Sequence, residues 1–227
     1  MSIARKRNPG RPTDLAKREA ILAAATKAFF EHGYGAAAIE QIAAAAGVSK
    51  VTIYNHFSDK QSLFAAAIER ECERMRGHFF IEGQSGAELR DHLLHIGLAM
   101  VAFLSRPEMV HFERRIAAET ERNPEIGRAF LDAGPRRMKA ALTAFLTAVA
   151  DRGALAIDNP GLAAEQFASM CKGFGDVELR FGSPPATSAT RQRVEAAVET
   201  FLKAYGNMNV AASSDQSRTP GAVADSC

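Results

Sequence analysis

An all-α fold is predicted by three features of this sequence. Apolar residues recur at three- and four-residue steps from Asp14 to Tyr205, no run reads persuasively as a strand, and the helical runs are punctuated by Gly, Pro and Asn-Pro. Alanine recurs throughout while aromatics make up only 7% and Trp is absent, a composition suited to helix-on-helix packing. With 227 residues, 47% of them hydrophobic, the chain can bury a substantial core, which excludes wholesale disorder. The expected architecture is an N-terminal three-helix domain joined by a long helix to a C-terminal helical bundle, about nine or ten helices in all.

Each element has a local reason. Residues 1–13 set Arg5, Lys6, Arg7 and Arg11 among Pro9, Gly10 and Pro12, a segment that cannot hold a helix and reads as a flexible basic arm. From Asp14, the residues Leu15, Arg18, Leu22, Ala25 and Phe29 keep helical spacing, and Gly33 stands where a glycine cap would end the helix. Within 37–45, Ile39 and Ile42 share one face; Gly47 interrupts, and Ser49 can cap a second short helix through Phe57. Ser58 with Gln61 has the form of a capping box opening a long helix to about Ile81, with Phe64, Ile68, Cys72, Met75 and Phe79 on one stripe. A break over 83–86 follows, where Ser85 and Glu88 repeat that pattern.

Residues 89–105 form a strongly apolar helix that stops before Arg106-Pro107, and 108–121 a helix with mixed faces. Asn123-Pro124 and Asn159-Pro160 each set a capping Asn before a first-turn Pro. Between them Gly134-Pro135 breaks the chain, and Met138, Leu142, Phe145 and Val149 line a helix ending near Gly153. After Asn159, the stripe Ala163, Phe167, Met170, Phe174, Val177 and Phe181 alternates steps of four and three. A Gly- and Pro-containing loop over 182–187 leads to a last helix, 189–205, with Val194, Val198, Phe201 and Tyr205 on one side. Beyond Asn207 the chain is small and polar and is expected to be disordered. The expected division is an arm (1–13), a small helical domain (14–60), a larger helical domain (61–206) and a tail (207–227).

Composition excludes several function classes. The basic start lacks an apolar core, so it is no signal peptide. The apolar stretch 92–105 is 14 residues long, short of the roughly 20 that a spanning helix needs. No membrane association is expected, and the chain reads as cytoplasmic. Cys72, Cys171 and Cys227 make neither a disulfide framework nor a zinc pair. His92 and His95 sit one helical turn apart but have no third ligand, and Cys171 has no identifiable catalytic partner. No cofactor, metal or catalytic site is assigned, and the chain is not expected to be an enzyme. Thiol sensing through Cys72 or Cys171 stays open.

Charge is unevenly placed. Residues 1–60 carry nine Lys or Arg against five Asp or Glu, while the remainder is net negative, so a polyanion contact belongs to the N-terminal quarter. There, 37–57 has the plan of a helix-turn-helix. Small residues (Ala43 to Ala46) stand where two helices would cross, Gly47 supplies a positive φ in the turn, and Val48 follows as an apolar anchor. Ser49, Lys50, Val51 and Thr52 then begin a second helix with side chains suited to base edges.

The run Phe29-Phe30-Glu31-His32-Gly33-Tyr34, then 39–43, 46–57 and Asp59-Lys60-Gln61-Ser62-Leu63-Phe64, resembles the N-terminal domain of TetR-family transcriptional regulators. The stretch 107–173 is similar, more weakly, to the C-terminal domains of the AefR-like subgroup. The resemblance implies that Lys50, Val51 and Thr52 face bases in the major groove, and that Tyr54, His56 and Lys60 meet phosphates. A hydroxyl, and a lysine at a helix N-terminus, suit that job independently. Arg11, Gln41 (toward adenine), Ser49 and Asn55 complete the expected DNA-binding set. Two features depart from the family pattern. Ala36-Ala37-Ala38 stand where hydroxyl residues are usual, removing a cap worth about 1 kcal/mol. Glu40 replaces a basic residue, and would repel phosphate unless it points away or accepts from cytosine.

The partners implied are double-stranded DNA bearing a palindromic operator, a second copy of the chain, and a small hydrophobic effector. Phe174, Val177, Phe181, Val194, Val198, Phe201 and Tyr205 are the expected dimer surface, since two long apolar stripes suit a four-helix interface. His95, Met100, Phe103, Met109, Phe112, Phe145, Phe167, Met170 and Phe174 are the expected ligand pocket, with His111, Arg115 and Glu119 nearby to orient a polar group. A ligand-released repressor is the favoured function. A regulator of the same fold without a ligand, and a ligand-binding protein with a degenerate DNA motif, are the alternatives.

Overall fold

The computed structural model describes residues 11–77 and 86–206. Ten helices occur among them: α1 (Arg11–Ala36), α2 (Ile39–Ala45), α3 (Lys50–His56), α4 (Lys60–Arg76), α5 (Gly86–Leu104), α6 (Pro107–Arg122), α7 (Pro124–Ala133), α8 (Pro135–Asp151), α9 (Pro160–Arg180) and α10 (Thr187–Tyr205). The described residues contain no strand; one isolated bridge, Leu155 with Gly206, ties the end of α10 to the α8–α9 loop. No single helix among them is long and apolar enough to cross a membrane. The expected all-α architecture is the observed one.

Prolines open four of these helices, where a missing N–H costs nothing. Asn123 and Asn159 cap two of them by accepting the backbone N–H of Glu125 (3.2 Å) and Leu162 (3.0 Å). Two helix starts differ from expectation. Helix α1 begins at Arg11 rather than Asp14, because Pro12 falls in the first turn and is tolerated there. Helix α4 is capped by Asp59, whose carboxylate accepts the Ser62 N–H at 2.6 Å and is thereby held below the usual carboxylate range. Ser58, the expected cap, exchanges a hydroxyl bond with Ser62 instead (2.8 Å). The arm over 1–10, the extension through Phe79 to Ile81, Ser85 and the tail beyond 206 lie outside the described residues.

Two hydrophobic clusters organise the chain, and they do not divide it at residue 60. The first joins α1–α4 to Met109, Phe112 and Ile116 of α6 and to Ile126 and Ala133 of α7. The second joins α5, α8, α9 and α10, with Met75 from α4. Helix α9 is bent at Gly173 (φ 52, ψ −158), where the Arg193 side chain lies and donates from Nε to the Cys171 carbonyl at 3.1 Å.

The stripe on α10 points inward. Val194, Val198 and Phe201 are all 0% exposed, and half-buried Tyr205 packs on Phe201 and donates to Gln166. Val194, Val198 and Phe201 thus belong to the chain's own core, and of the stripe only Tyr205 reaches the surface. Periodicity marks the apolar face of a helix but not what it meets, and here the strongest face met α5 and α9. On α9, by contrast, Phe174 (73% exposed), Val177 and Phe181 (86%) stand in the open.

Candidate nucleic-acid interface and ligand cavity

Helices α2 and α3 form the helix-turn-helix that the residues imply. Gly47 takes φ +67 in the turn, with nothing nearby to crowd it. Ser49 caps α3, accepting the Thr52 N–H at 3.1 Å, while the two hydroxyls bond at 2.9 Å. Ala38 stands at the head of α2 with no side-chain cap. Ile42, Ala43, Ile53 and Phe57 are buried and fix the unit on α1 and α4.

The opposite side of α3 presents Lys50, Val51, Tyr54 and Asn55 to solvent, with Val51 67% and Tyr54 42% exposed. Thr52 is half-buried. Lys50 Nζ pairs with Glu40 Oε1 at 2.5 Å and lies 5.9 Å from the Tyr54 ring centroid. The Lys50 bond holds the Glu40 carboxyl below its usual range, and the same bond raises the Lys50 ammonium. Glu40 therefore neither points away from the reading side nor stands as a bare charge.

Other expected contacts have partners inside the protein. His56 turns toward α1, its side chain 13% exposed and Nε2 3.4 Å from Asp14 Oδ1. Lys60 donates to the Gly35 carbonyl at 3.1 Å with its ammonium 4.8 Å from the Tyr34 ring, and burial lowers its pKa. Gln41 is exposed beside a shallow depression shared with Glu31, His32 and Arg115. Arg11 is the first residue of α1.

A cavity of about 740 Å³ lies between the two clusters, walled by residues of α1 and α4–α9. Met100, Phe103, Met109 and Phe112 line it. Phe145 and Phe167 are buried behind it, Met170 packs in the second cluster, and His95 and Phe174 face outward, so none of these five lines the cavity. Helical spacing could not separate lining residues from those one layer deeper.

The wall holds side chains that spacing did not single out. Phe30 of α1 lies in it, stacked on Phe112 with centroids 4.4 Å apart and planes 1° from parallel. Glu71 and Glu113 bring carboxylates into a lining that is mostly apolar but also carries Lys139, Glu165, Lys172 and Arg180. Glu71 is buried and ion-paired with Arg106 and Arg74, each at 3.4 Å. Glu113 pairs with Arg180 at 2.7 Å, yet burial raises its pKa. A glutamate next to Cys72 on an apolar helix face was the available signal for Glu71.

Arg115 and Glu119, expected beside the pocket, both bond to backbone of α1. They hold the end of α1, where helix carbonyls and N–H groups lack helical partners. Arg115 donates to the Phe30 carbonyl at 2.9 Å and to that of Glu31, and Glu119 accepts the Gly35 N–H at 2.8 Å. His111 is exposed. One face of α6 thus lines the cavity while another grips the helix that supports the DNA-reading unit.

Among the described residues, no group of three His, Cys, Asp or Glu is placed to hold a metal ion. His92 is buried with its ring edge-on to Phe145, whereas His95 is exposed. Burial pushes the Cys72 thiol up to about 11 and the Cys171 thiol up to about 12, so both are poor thiolates near neutrality.

Known proteins match both halves of the chain. Residues 21–67 match the family of bacterial regulatory proteins of the tetR type, and 91–207 match the AefR-like transcriptional repressor C-terminal domain. The HTH-type transcriptional regulator YvkB of Bacillus subtilis is 28% identical over 85% of this chain and 97% of its own. A TetR-family regulator from Mesorhizobium loti superimposes with a TM-score of 0.71 at 28% identity, covering 85% of this chain and 98% of its own. The flavonoid-responsive regulator FrrA is 33% identical with a TM-score of 0.67, over 84% of this chain and 97% of its own. With the AefR-like match alone spanning more than half of the residues, the chain belongs to the TetR family of DNA-binding transcriptional regulators, which are not enzymes.

Proposed function

We propose that this regulator is a cytoplasmic homodimeric repressor. It reads a palindromic operator with α3 and leaves DNA when a flat, largely apolar aromatic ligand fills the cavity. Val51 suits a thymine methyl, Lys50 a guanine edge, and Tyr54 and Asn55 the adjoining phosphates, with Ser49 and Thr52 spent on holding α3 in shape. The observation that carries ligand release is the Phe30–Phe112 stack in the cavity wall, because Phe30 belongs to the helix on which the reading unit is built. A ligand that displaces Phe112 moves α1 directly, and through Arg115 and Glu119 as well. The differential binding energy needed is modest, about 1–3 kcal/mol. Four aromatic rings and four methionines in the lining suit a planar ring system, and the likeness to a flavonoid-responsive regulator points the same way.

The test is fluorescence anisotropy with DNA from upstream of the reading frame against scrambled DNA, at two salt concentrations and with a panel of flavonoids and related phenols. Sequence-preferring binding that one compound relieves is the expected result, with Tyr54→Ala weakening it. Tight sequence-specific binding unmoved by any compound that binds the cavity would overturn ligand release.

The second copy is assigned to the α9 face carrying Phe174, Val177 and Phe181, without the α10 stripe. Three large apolar side chains left in water on one helix mark an association surface. Phe174→Asp with Phe181→Asp is expected to yield a folded 24.4 kDa monomer by light scattering and to weaken operator binding steeply, since two linked half-site contacts become one. A double variant that still runs as a dimer sinks this assignment.

A further inference from the structure

The geometry points to Glu40 and Lys50 as one composite reader of a G·C base pair in each half-site, Glu40 accepting from cytosine and Lys50 donating to guanine. This rests on the reading that α3 enters the major groove. Three observations carry it. The two side chains reach across the turn from the first residue of α3 and the second of α2 and meet at 2.5 Å. Both stay exposed, at 65% and 50% for Glu40 and Lys50. The Tyr54 ring flanks the Lys50 ammonium on the side where Val51 and Asn55 also emerge.

Stability does not explain the pair. An ion pair this exposed contributes little to folding, and the ladder holding α2 to α3 is apolar. A carboxylate on the reading side also repels the phosphate backbone, so its presence lowers general DNA affinity. What the pair does offer is matched chemistry. In the major groove cytosine presents its N4 amino donor, which a carboxylate accepts, and guanine presents O6 and N7, which an ammonium fills. Those groups stand side by side on one base pair, as the carboxylate and ammonium do on the protein. Glu40 also fixes where the Lys50 ammonium sits, and so removes much of the freedom that makes lysine a weak discriminator. An A·T pair in the same place presents an amino group and acceptors in a different arrangement, and a T methyl against the carboxylate.

The test is selection of preferred sites from a randomised duplex pool by the wild-type protein, Glu40→Gln and Lys50→Met, followed by anisotropy on the selected site and its single-base variants. Far-UV circular dichroism of both variants is expected to match wild type, because neither side chain is buried. Wild type is expected to select G·C at one position per half-site and to lose about tenfold or more in affinity when that pair becomes A·T. Both variants are expected to lose that discrimination at that same position and keep the rest of the site. Glu40→Gln is also expected to bind scrambled DNA more tightly than wild type, having shed a repelling charge. If Glu40→Gln selects the same site with the same discrimination, Glu40 is a spectator charge and the proposal fails. If the two variants lose discrimination at different positions, the pair does not act as a unit and the proposal fails likewise. A wild-type protein that selects no sequence at all would overturn the reading of α3 itself.

Discussion

Phe64→Ala is expected to destabilise the protein by about 3–5 kcal/mol, lowering Tm by about 10 °C in a calorimetric melt. Phe64 is 0% exposed and sits at the crossing of three elements. Its ring meets Phe29 edge-on at 5.2 Å and Tyr34 at 5.2 Å, and tilts toward Phe112 at 6.1 Å. Removing it opens a hole between α1, α4 and α6, where its ring meets those of Phe29, Tyr34 and Phe112. Phe64→Leu, which retains most of the volume, is expected to cost under about 1.5 kcal/mol. Equal melting of the alanine variant and wild type would mean the site repacks freely and the junction is not rigid.

Gly33→Ala is the second large effect. Gly33 adopts φ 82, ψ 176, a region that side-chain-bearing residues enter only with strain of about 1–3 kcal/mol. A Cβ there would also fall 2.4 Å from Glu119 Oε1. The clash alone is relieved by turning Glu119 away, but that releases the Gly35 N–H it accepts, and the end of α1 loses a bond to α6. Both stability and operator affinity are therefore expected to fall, affinity because the reading unit follows directly after that bend. Comparison with Glu119→Ala alone separates the two causes. Strain as the larger cause makes Gly33→Ala melt well below Glu119→Ala, whereas equal melting would make loss of the Glu119 bond decisive.

The helix order was legible because its boundaries are written locally. Asn before Pro and Gly47 act within a few residues of themselves and appear where spacing put them, whereas Gly33, expected to end α1, bends it and the helix runs on to Ala36. Ser58 and Asp59 show the limit of that logic. Both are good caps one residue apart, and only the backbone phase of α4 decides between them. Which apolar stripe stays in water was not legible, since Val198 and Phe181 look alike as letters and differ only in whether another helix covers them. The contacts that join reader to cavity were still further out of reach. Arg115 meets Phe30 across 85 positions, and Glu119 meets Gly35 across 84. The Glu40–Lys50 pair spans only ten, but it depends on the angle of the turn between two helices. Charged residues read one at a time as repelling or attracting DNA become a neutral unit once that angle is known.

The sharing of α6 and α7 between the reading unit and the cavity has a consequence for modularity. The apolar cluster beneath the helix-turn-helix takes Met109, Phe112, Ile116, Ile126 and Ala133 from more than forty positions downstream of Phe64. A recombination joint at residue 60 would give the reader a foreign floor. Chimeras that exchange DNA specificity between relatives must carry α6 and α7 along with the first four helices, or else graft only the exposed face of α2 and α3. On the reading proposed for α3, operator preference would change by point substitution on that exposed face, at Glu40, Lys50 and Val51, without disturbing the shared floor.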